Sequence, residues 1–481
     1  MNSGEFMQHR VITHGVCRSV LIVSVLILVT AGCAVRKPPS QKDIASKALP
    51  NAAIPPTWQT SSIAGQVSND WLKTFHDPQL DAIVAEAIAN NLDLRQSAQR
   101  VEEARQTVIV VGSALKPQIA ANFGGAATVT SPEKSRTGSN MAYGVVGWEP
   151  DIWGKLRAER ASAEETYQAT ALDYDFARQS LAATAANSWY IAIETYQLLV
   201  LAQENVKICD RLLGLSRVRQ TAGKVAALDV AEANASLNSA QSSLRVAQQL
   251  YSDARRNLEV LIGRYPAAEI EISQTFSTLP PPIAPGLPSS LLQRRPDVIA
   301  AERQVQAAFH TRESARLALY PNLSLNVLGG RFGDVLFAAQ GLNPWLFHSA
   351  IGMTVPIYDG GRLRAQVRIA TAQQEQAIAH YGSVSLNAFD EVETALDNEA
   401  LLSQRLTFEE NAVQERAEAF RLGEIKYRYG TSDLFLVLQL QQEQITEQIN
   451  LIKVRYSLLG NRINLHLVLG GGFNASPAAS P

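Results

Sequence analysis

Hydrophobic and polar positions change period along this chain, and each change marks an element. From Pro321 to Val327, residues Leu323, Leu325 and Val327 alternate with Asn322, Ser324 and Asn326. Ser349, Ile351, Met353, Val355 and Ile357 likewise alternate with His348, Ala350, Gly352 and Thr354. Period two predicts strands whose two faces differ. A fainter version sets Ile119, Ala121 and Phe123 against Ala120, Asn122 and Gly124, with a companion at about 140–149. Turn residues lie between the members of each pair, so hairpins are expected over about 118–149 and 321–357. After each hairpin the period lengthens. Residues 155–222 and 224–262, and then 362–429 and 431–469, contain no proline. Within 227–261, Leu228, Ala231, Ala235, Leu244, Ala247, Tyr251, Ala254, Leu258 and Leu261 fall mostly three, four or seven apart, a coiled-coil-like stripe. A helix of about 60 residues reaches about 90 Å, too long for one compact core to bury. Shorter helical stretches at 78–116 and 295–320 precede the hairpins, and Asp297 behind Pro296 suits the positive end of a helix dipole.

The same order of patterns occurs twice. Gly154-Lys155-Leu156-Arg157-Ala158 matches Gly361-Arg362-Leu363-Arg364-Ala365 at an offset of 207 residues, as do Gly223 with Gly430 and Ile262-Gly263 with Leu469-Gly470. Leu115-Lys116-Pro117 matches Leu319-Tyr320-Pro321 at 204, so the first half carries three extra residues between these anchors. A period this long implies two pseudo-equivalent halves rather than a solenoid. The chain therefore divides into a first repeat at 71–263, a Pro-rich connector at 264–294 and a second repeat at 295–470. A tail, 471–481, reads as disordered.

Composition narrows the class. Hydrophobic residues are 46% and charged residues 18% of the 481, which excludes general disorder. Lys plus Arg number 43 against 45 Asp plus Glu, so no basic surplus exists for a nucleic-acid partner. Arg10 and Arg18 precede the uncharged run Ser19–Val29, and Thr30-Ala31-Gly32-Cys33 follows. Residues 1–32 read as a secretory signal. The small residues before Cys33 resemble the bacterial lipobox, departing from it at Thr30, which implies diacylation of Cys33. Residues 33–70 are expected to be the lipid anchor and a tether, and Cys209 a small buried hydrophobe. No later segment offers about 18 uninterrupted apolar residues, so any membrane entry must use strands. Four strands cannot close a membrane barrel, which starts at about 8, and an open edge cannot face lipid. Other subunits must complete them, or they are not membrane strands.

Four motifs carry a resemblance. Leu287 to Glu302, LPSSLLQRRPDVIAAE, is similar to the mid-chain signature of the outer-membrane efflux factors, the TolC-like channels, and especially of their NodT-type lipoprotein branch. DWLKTFHDPQLDAIVAEAIANNLDLR, ending at Arg95, WEPDIWGKLR over Trp148–Arg157 and VPIYDGGRLR over Val355–Arg364 resemble that branch in the same order. The resemblance spans about Trp71 to Gly470. It implies a mainly α fold with a small β part, in which duplicated long helices form a periplasmic α-barrel tunnel. Each protomer of a homotrimer would give four β-strands to a 12-stranded outer-membrane barrel. The implied partners are a periplasmic adaptor and an inner-membrane resistance-nodulation-division pump, and the implied role is passive exit of small molecules, without cofactor or metal.

The resemblance also assigns places. The helix breaks at Arg219 to Gly223 and Lys426 to Gly430 are expected at the periplasmic tips, because a long helix reverses where glycine permits. Arg219, Gly223, Arg421, Lys426, Tyr427 and Gly430 are the adaptor-contact candidates, with simple solvation as the alternative. Asp433, Phe435 and Gln439 are the gate candidates. Asp433 either caps its helix or rings the pore, Phe435 is an apolar constriction, and Gln439 is neutral where the family commonly has an acid. No G-x-S-x-G, Walker, dinucleotide or H-E-x-x-H motif occurs, and His76, His310, His348, His380 and His466 lack metal-ligand spacing, so no catalytic residue is assigned. Asp390, Glu391 and Glu393 read as a solvated helix face. Two other readings stay open here: a lipid-anchored coiled-coil scaffold without a pore, and the outer-membrane channel of a type I secretion system.

Overall fold

A computed structural model describes residues 36–60, 70–130, 135–333 and 345–472. The signal segment, Cys33 and the tail beyond 472 lie outside the described residues. In chain order the elements are α1 (Gln41–Ala48), a 3-10 turn (Trp71–Phe75), α2 (Pro78–Asn90), α3 (Leu92–Ser113), β1 (Gln118–Thr130), β2 (Ser135–Trp148), α4 (Lys155–Thr221) and α5 (Ala227–Leu261). After the connector come α6 (Pro288–Leu291), α7 (Pro296–Leu317), β3 (Asn322–Gly333), β4 (Trp345–Thr354), α8 (Arg362–Arg428) and α9 (Leu434–Val468).

The duplication is visible in these lengths. α4 and α8 each have 67 residues, and α5 and α9 each have 35. Asp151 accepts bonds from the amides of Leu156 and Arg157 at the start of α4, and Asp359 does the same for Gly361 and Leu363 at the start of α8, so each long helix opens on a carboxylate. Both end alike. Gly223 and Gly430 take φ of 69° and 80°, and the following amides, of Lys224 and Thr431, reach back to the carbonyls of Arg219 and Lys426, the six-to-one closure that glycine allows. The stretch expected as one helix over 78–116 is two, because the Asn91 side chain accepts from the Leu94 amide at 2.9 Å and starts α3 afresh.

The expected tether is corrected for residues 36–60. Ser40 and Asp43 form a capping box that starts α1, and Ile44 on that helix is 2% exposed. Ala48 packs its carbonyl against Gly382, where a Cβ would come within 2.8 Å. Further on, Trp58 is buried against Phe389, and the Glu393 carboxylate accepts from the amides of Gln59 and Thr60 and from the Thr60 hydroxyl. The segment is thus a docked strap. Its Pro- and Ser-rich composition hid one short amphipathic turn. Glu391 and Glu393 are corrected with it: Glu391 pairs with Arg295 at 2.6 Å, so neither carboxylate is merely solvated.

The chain forms two compact units. One holds residues 100–171 and 300–382 with the strap's first part, including the whole sheet. There Ser162 donates to the Ala307 carbonyl and Arg303 pairs with Glu165, joining α4 to α7. The other holds residues 172–299 and 383–472 with 70–99. Its core sets Trp71, Phe75, Leu80, Ile83 and Val84 against Trp189, Tyr190 and Ile193 of α4 and Leu459 and Ile463 of α9. Ala182, Ala183, Ala185 and Ala186 keep α4 thin where these large rings meet it.

His466 lies in this second unit, 2% exposed and stacked on Trp71 at 5.5 Å, with no hydrogen-bond partner on either ring nitrogen. Burial, with the Arg462 charge beside it, pushes the imidazole down to about 4. A folded value below the ordinary one means that the unfolded chain takes up the proton first, so stability falls as pH drops from about 6.5 to about 4, by about 3 kcal/mol. His466→Phe keeps the stack and removes the titration. Unfolding midpoints followed by tryptophan fluorescence should therefore fall less steeply with acid in that window than the parent's, and an unchanged slope would rule out His466 as a source of it.

Candidate functional site

The sheet has the order β1-β2-β3-β4, antiparallel throughout. β2 pairs with β3 through Tyr143 with Gly330 and Val146 with Val327, so the two repeats join inside one sheet. Register then fixes the faces, because side chains of paired residues share a side. On one side stand Ile119 and Phe123, Val146 and Trp148, Leu323, Leu325 and Val327, then Trp345, Phe347, Ile351 and Met353. This is the apolar face, and it is bare: Ile119 is 78%, Phe123 83%, Phe347 77% and Ile351 78% exposed. The opposite side carries Gln118, Asn122, Tyr143, Asn322, Ser324, Asn326, His348 and Thr354, with Met141, Leu328 and Leu346 among them.

Two details of the apolar face fit a bilayer. Trp148 and Trp345 sit at opposite ends, level with Leu325 and Arg331 of β3, about 20 Å apart along the strand, as interfacial aromatics are in membrane strands. The Phe347 ring also covers Gly329, where a Cβ would lie 2.8 Å from it. The strands run 13, 14, 12 and 10 residues, enough to span, since a tilted membrane strand needs about 9–11. No described helix is long and apolar enough to cross a membrane. The outer edges of β1 and β4 have no ladder partner among the described residues.

The second region is the pair of helix turns. The Arg219 guanidinium lies 4.3 Å from the centroid of the Tyr427 ring and donates to the Tyr427 carbonyl. Tyr427 is 1% exposed, with its hydroxyl 3.2 Å from Ser216 Oγ. Tyr427 is therefore corrected from surface contact to core of the clasp, with Arg219 as its cation–π partner. Arg421 bonds both Glu418 oxygens and holds that carboxyl below its usual range. Lys426, Gly223 and Gly430 are exposed. Glu424 pairs with both Arg211 and Arg428.

At the start of α9, Asp433 accepts from the Leu436 amide at 2.9 Å, so it does cap the helix. Phe435 points away from its own protomer's core, 66% exposed. Gln439 donates to Glu443 at 3.1 Å, and Arg416 pairs with the same carboxylate. The acidic group lacking at 439 thus stands one turn on, already neutralised. Only the Gln-to-Glu helical spacing hinted at this. Cys209 is buried as expected, but Asn205, Ser236 and Gln441 surround its sulfur, a more polar setting than an apolar core. No group of three His, Cys, Asp or Glu side chains able to hold a metal exists among the described residues.

Residues 83–264 and 287–471 match the family described as Outer membrane efflux protein. The chain belongs to the outer membrane efflux protein family. One matched segment falls in each half of the chain, and the gap between them, 265–286, lies in the Pro-rich stretch. This efflux protein is 31% identical to the pyoverdine export outer membrane protein OpmQ of Pseudomonas putida, over 88% of this chain and 93% of that one. It is 28% identical to the toluene efflux pump outer membrane protein TtgC from another strain of Pseudomonas putida, over 95% and 96%. Its fold matches the outer-membrane channel OprN with a TM-score of 0.79 at 25% identity, covering 92% of this chain and 99% of that one. It is an outer-membrane transport protein of the TolC-like channel fold, not an enzyme.

For an efflux protein, a bare aromatic at the opening of α9 is a candidate constriction. Phe435→Ala is expected to raise single-channel conductance in planar bilayers by about twofold. Conductance equal to the parent's would remove Phe435 from the gate.

Proposed function

We propose that three copies of this chain close their sheets edge to edge into a 12-stranded barrel through the outer membrane, as the exit duct of a tripartite efflux assembly. The observation that carries this reading is the four-stranded sheet with one bare apolar face and two edges unpaired among the described residues. Lipid cannot satisfy open backbone groups, so the edges need strands from elsewhere. Four strands are half of the smallest membrane barrel of about 8, and three identical sheets with identical end strands close by rotation. A pore-free scaffold leaves the apolar face in water, which the hydrophobic effect opposes.

In this reading α4, α5, α8 and α9 of three copies form a periplasmic tunnel, and the turns at Gly223 and Gly430, with Lys426 and Arg421 beside them, meet a periplasmic adaptor and through it a resistance-nodulation-division pump. Cys33 carries lipid that ties the chain to the outer membrane. The cargo class is small organic molecules, by likeness to relatives named for pyoverdine and toluene.

The test is purification of the full chain in detergent, with its mass by light scattering and its conductance in bilayers. Three protomer masses and discrete conductance steps are expected, together with co-purification of an adaptor. A non-conducting monomer would overturn the proposal. Cys33→Ala should abolish incorporation of labelled palmitate, and retained label would remove Cys33 as the lipid site.

A further inference from the structure

The non-lipid face of the sheet is polar, yet it is nearly without charge. Its described positions are Gln118, Ala120, Asn122, Gly124 and Ala126 on β1, with Ser139, Met141, Tyr143, Val145 and Gly147 on β2. β3 adds Asn322, Ser324, Asn326, Leu328 and Gly330, and β4 adds Leu346, His348, Ala350, Gly352 and Thr354. Asn, Gln, Ser and Thr hold neutral dipoles. No carboxylate, lysine or arginine stands on this face among those positions. The charged group of the described strand side chains, Arg331, lies on the other face at the level of Trp345.

His348 is the exception. It is exposed, and it pairs in register with Leu328, which in turn faces Val145 and then Ala120. Among the described residues, the groups beside it on its own face are thus apolar or neutral from every strand of the sheet. Histidine is the side chain that changes charge between about pH 5 and 8.

We infer that His348 sets the charge selectivity of the exit barrel: its three copies form a ring of imidazole side chains on a face otherwise without charge at its described positions, and positive charge on that ring favours anionic solutes such as carboxylates and phosphates. This rests on the trimeric barrel proposed above. Twelve strands spaced about 4.8 Å apart enclose a lumen with a radius on the order of 10 Å. That is close to the screening length of about 10 Å at 0.1 M salt, so the ring's field reaches the axis in dilute salt and vanishes near 1 M. A single ring on a wall otherwise uncharged at its described positions therefore decides the sign of the lumen there.

The test compares the parent trimer with His348→Asn and His348→Lys in planar bilayers, measuring reversal potentials in a dilute potassium chloride gradient. On acidification from about pH 8 to about pH 5, the parent's anion-to-cation permeability ratio should rise about twofold. His348→Asn should stay flat, and His348→Lys should hold the higher ratio at both pH values. A pH response in His348→Asn equal to the parent's would overturn the inference while leaving the barrel intact. If none of the three conducts, the barrel reading fails and this inference with it. Placement is checked separately in whole outer membranes: a water-soluble maleimide should label His348→Cys and spare Phe347→Cys. The reverse pattern would put His348 on the lipid side and also overturn it.

Discussion

Gly330→Val is expected to leave no membrane-inserted oligomer. Gly330 faces Tyr143 in the one ladder that joins the two repeats. A Cβ there would lie 2.3 Å from the Ala142 carbonyl oxygen and 2.4 Å from the Tyr143 Cα. Both obstacles are backbone, so no side-chain rotation relieves the clash. β3 must then part from β2, and each strand is left with open amides and carbonyls that lipid cannot satisfy, at a cost of several kcal/mol per group. Gly125→Ala is the control, since its added Cβ meets the Ser139 carbonyl at an ordinary 3.7 Å. On unboiled gels of outer-membrane fractions, the control should keep the oligomer band and Gly330→Val should lose it. Survival of the band in Gly330→Val would mean that β2 and β3 do not pair in this register.

Arg295→Ala should destabilise the protein by about 3–5 kcal/mol, the usual result of stripping one partner from a buried charge cluster. The Arg295 guanidinium is 4% exposed and binds both oxygens of Asp297, Glu391 at 2.6 Å and the Val468 carbonyl, with the Phe176 ring 5.9 Å away. Burial pulls its proton affinity down, and Asp297 and Glu391 more than offset that. One side chain therefore ties the start of α7 to α8 and to the end of α9. Arg295→Lys should recover only part of the loss, because an ammonium cannot hold both Asp297 oxygens in a planar fork. Arg294→Ala, one position earlier and only half-buried, should cost no more than about 1 kcal/mol. Chemical unfolding of the detergent-purified protein reads all three, and equal losses at the two arginines would refute the assignment.

These two adjacent arginines show where reading the sequence stops. QRRPD is conspicuous as a motif, but which arginine turns inward depends on Glu391 and Val468, far along the chain. What local patterns dictate was legible: the strands with unlike faces, the paired long helices and the glycines that turn them. Those features need only neighbours two to seven residues away. The burial of Tyr427 under Arg219, and the pairing of Arg416 with Glu443 beyond Gln439, depend on contacts between helices and were not. Nor was the docking of residues 36–60, whose partners Glu375, Gly382, Phe389 and Glu393 lie more than 300 positions on. His348 was visible as one member of an alternation, but its isolation on an uncharged face appears only once all four strands are in register.

Matched helix lengths restrict how this chain can change over generations. α4 and α8 have equal counts, as do α5 and α9, and their turns clasp through Arg219 and Tyr427. Deleting one turn from α4 alone would draw its end back by about 5 Å and pull the guanidinium off the ring. A deletion at the corresponding place in α8 restores the fit. Substitutions can therefore accumulate singly along these helices, whereas insertions and deletions survive only in pairs. Descendants of this fold should drift widely in residue identity while the lengths of the four helices stay locked together.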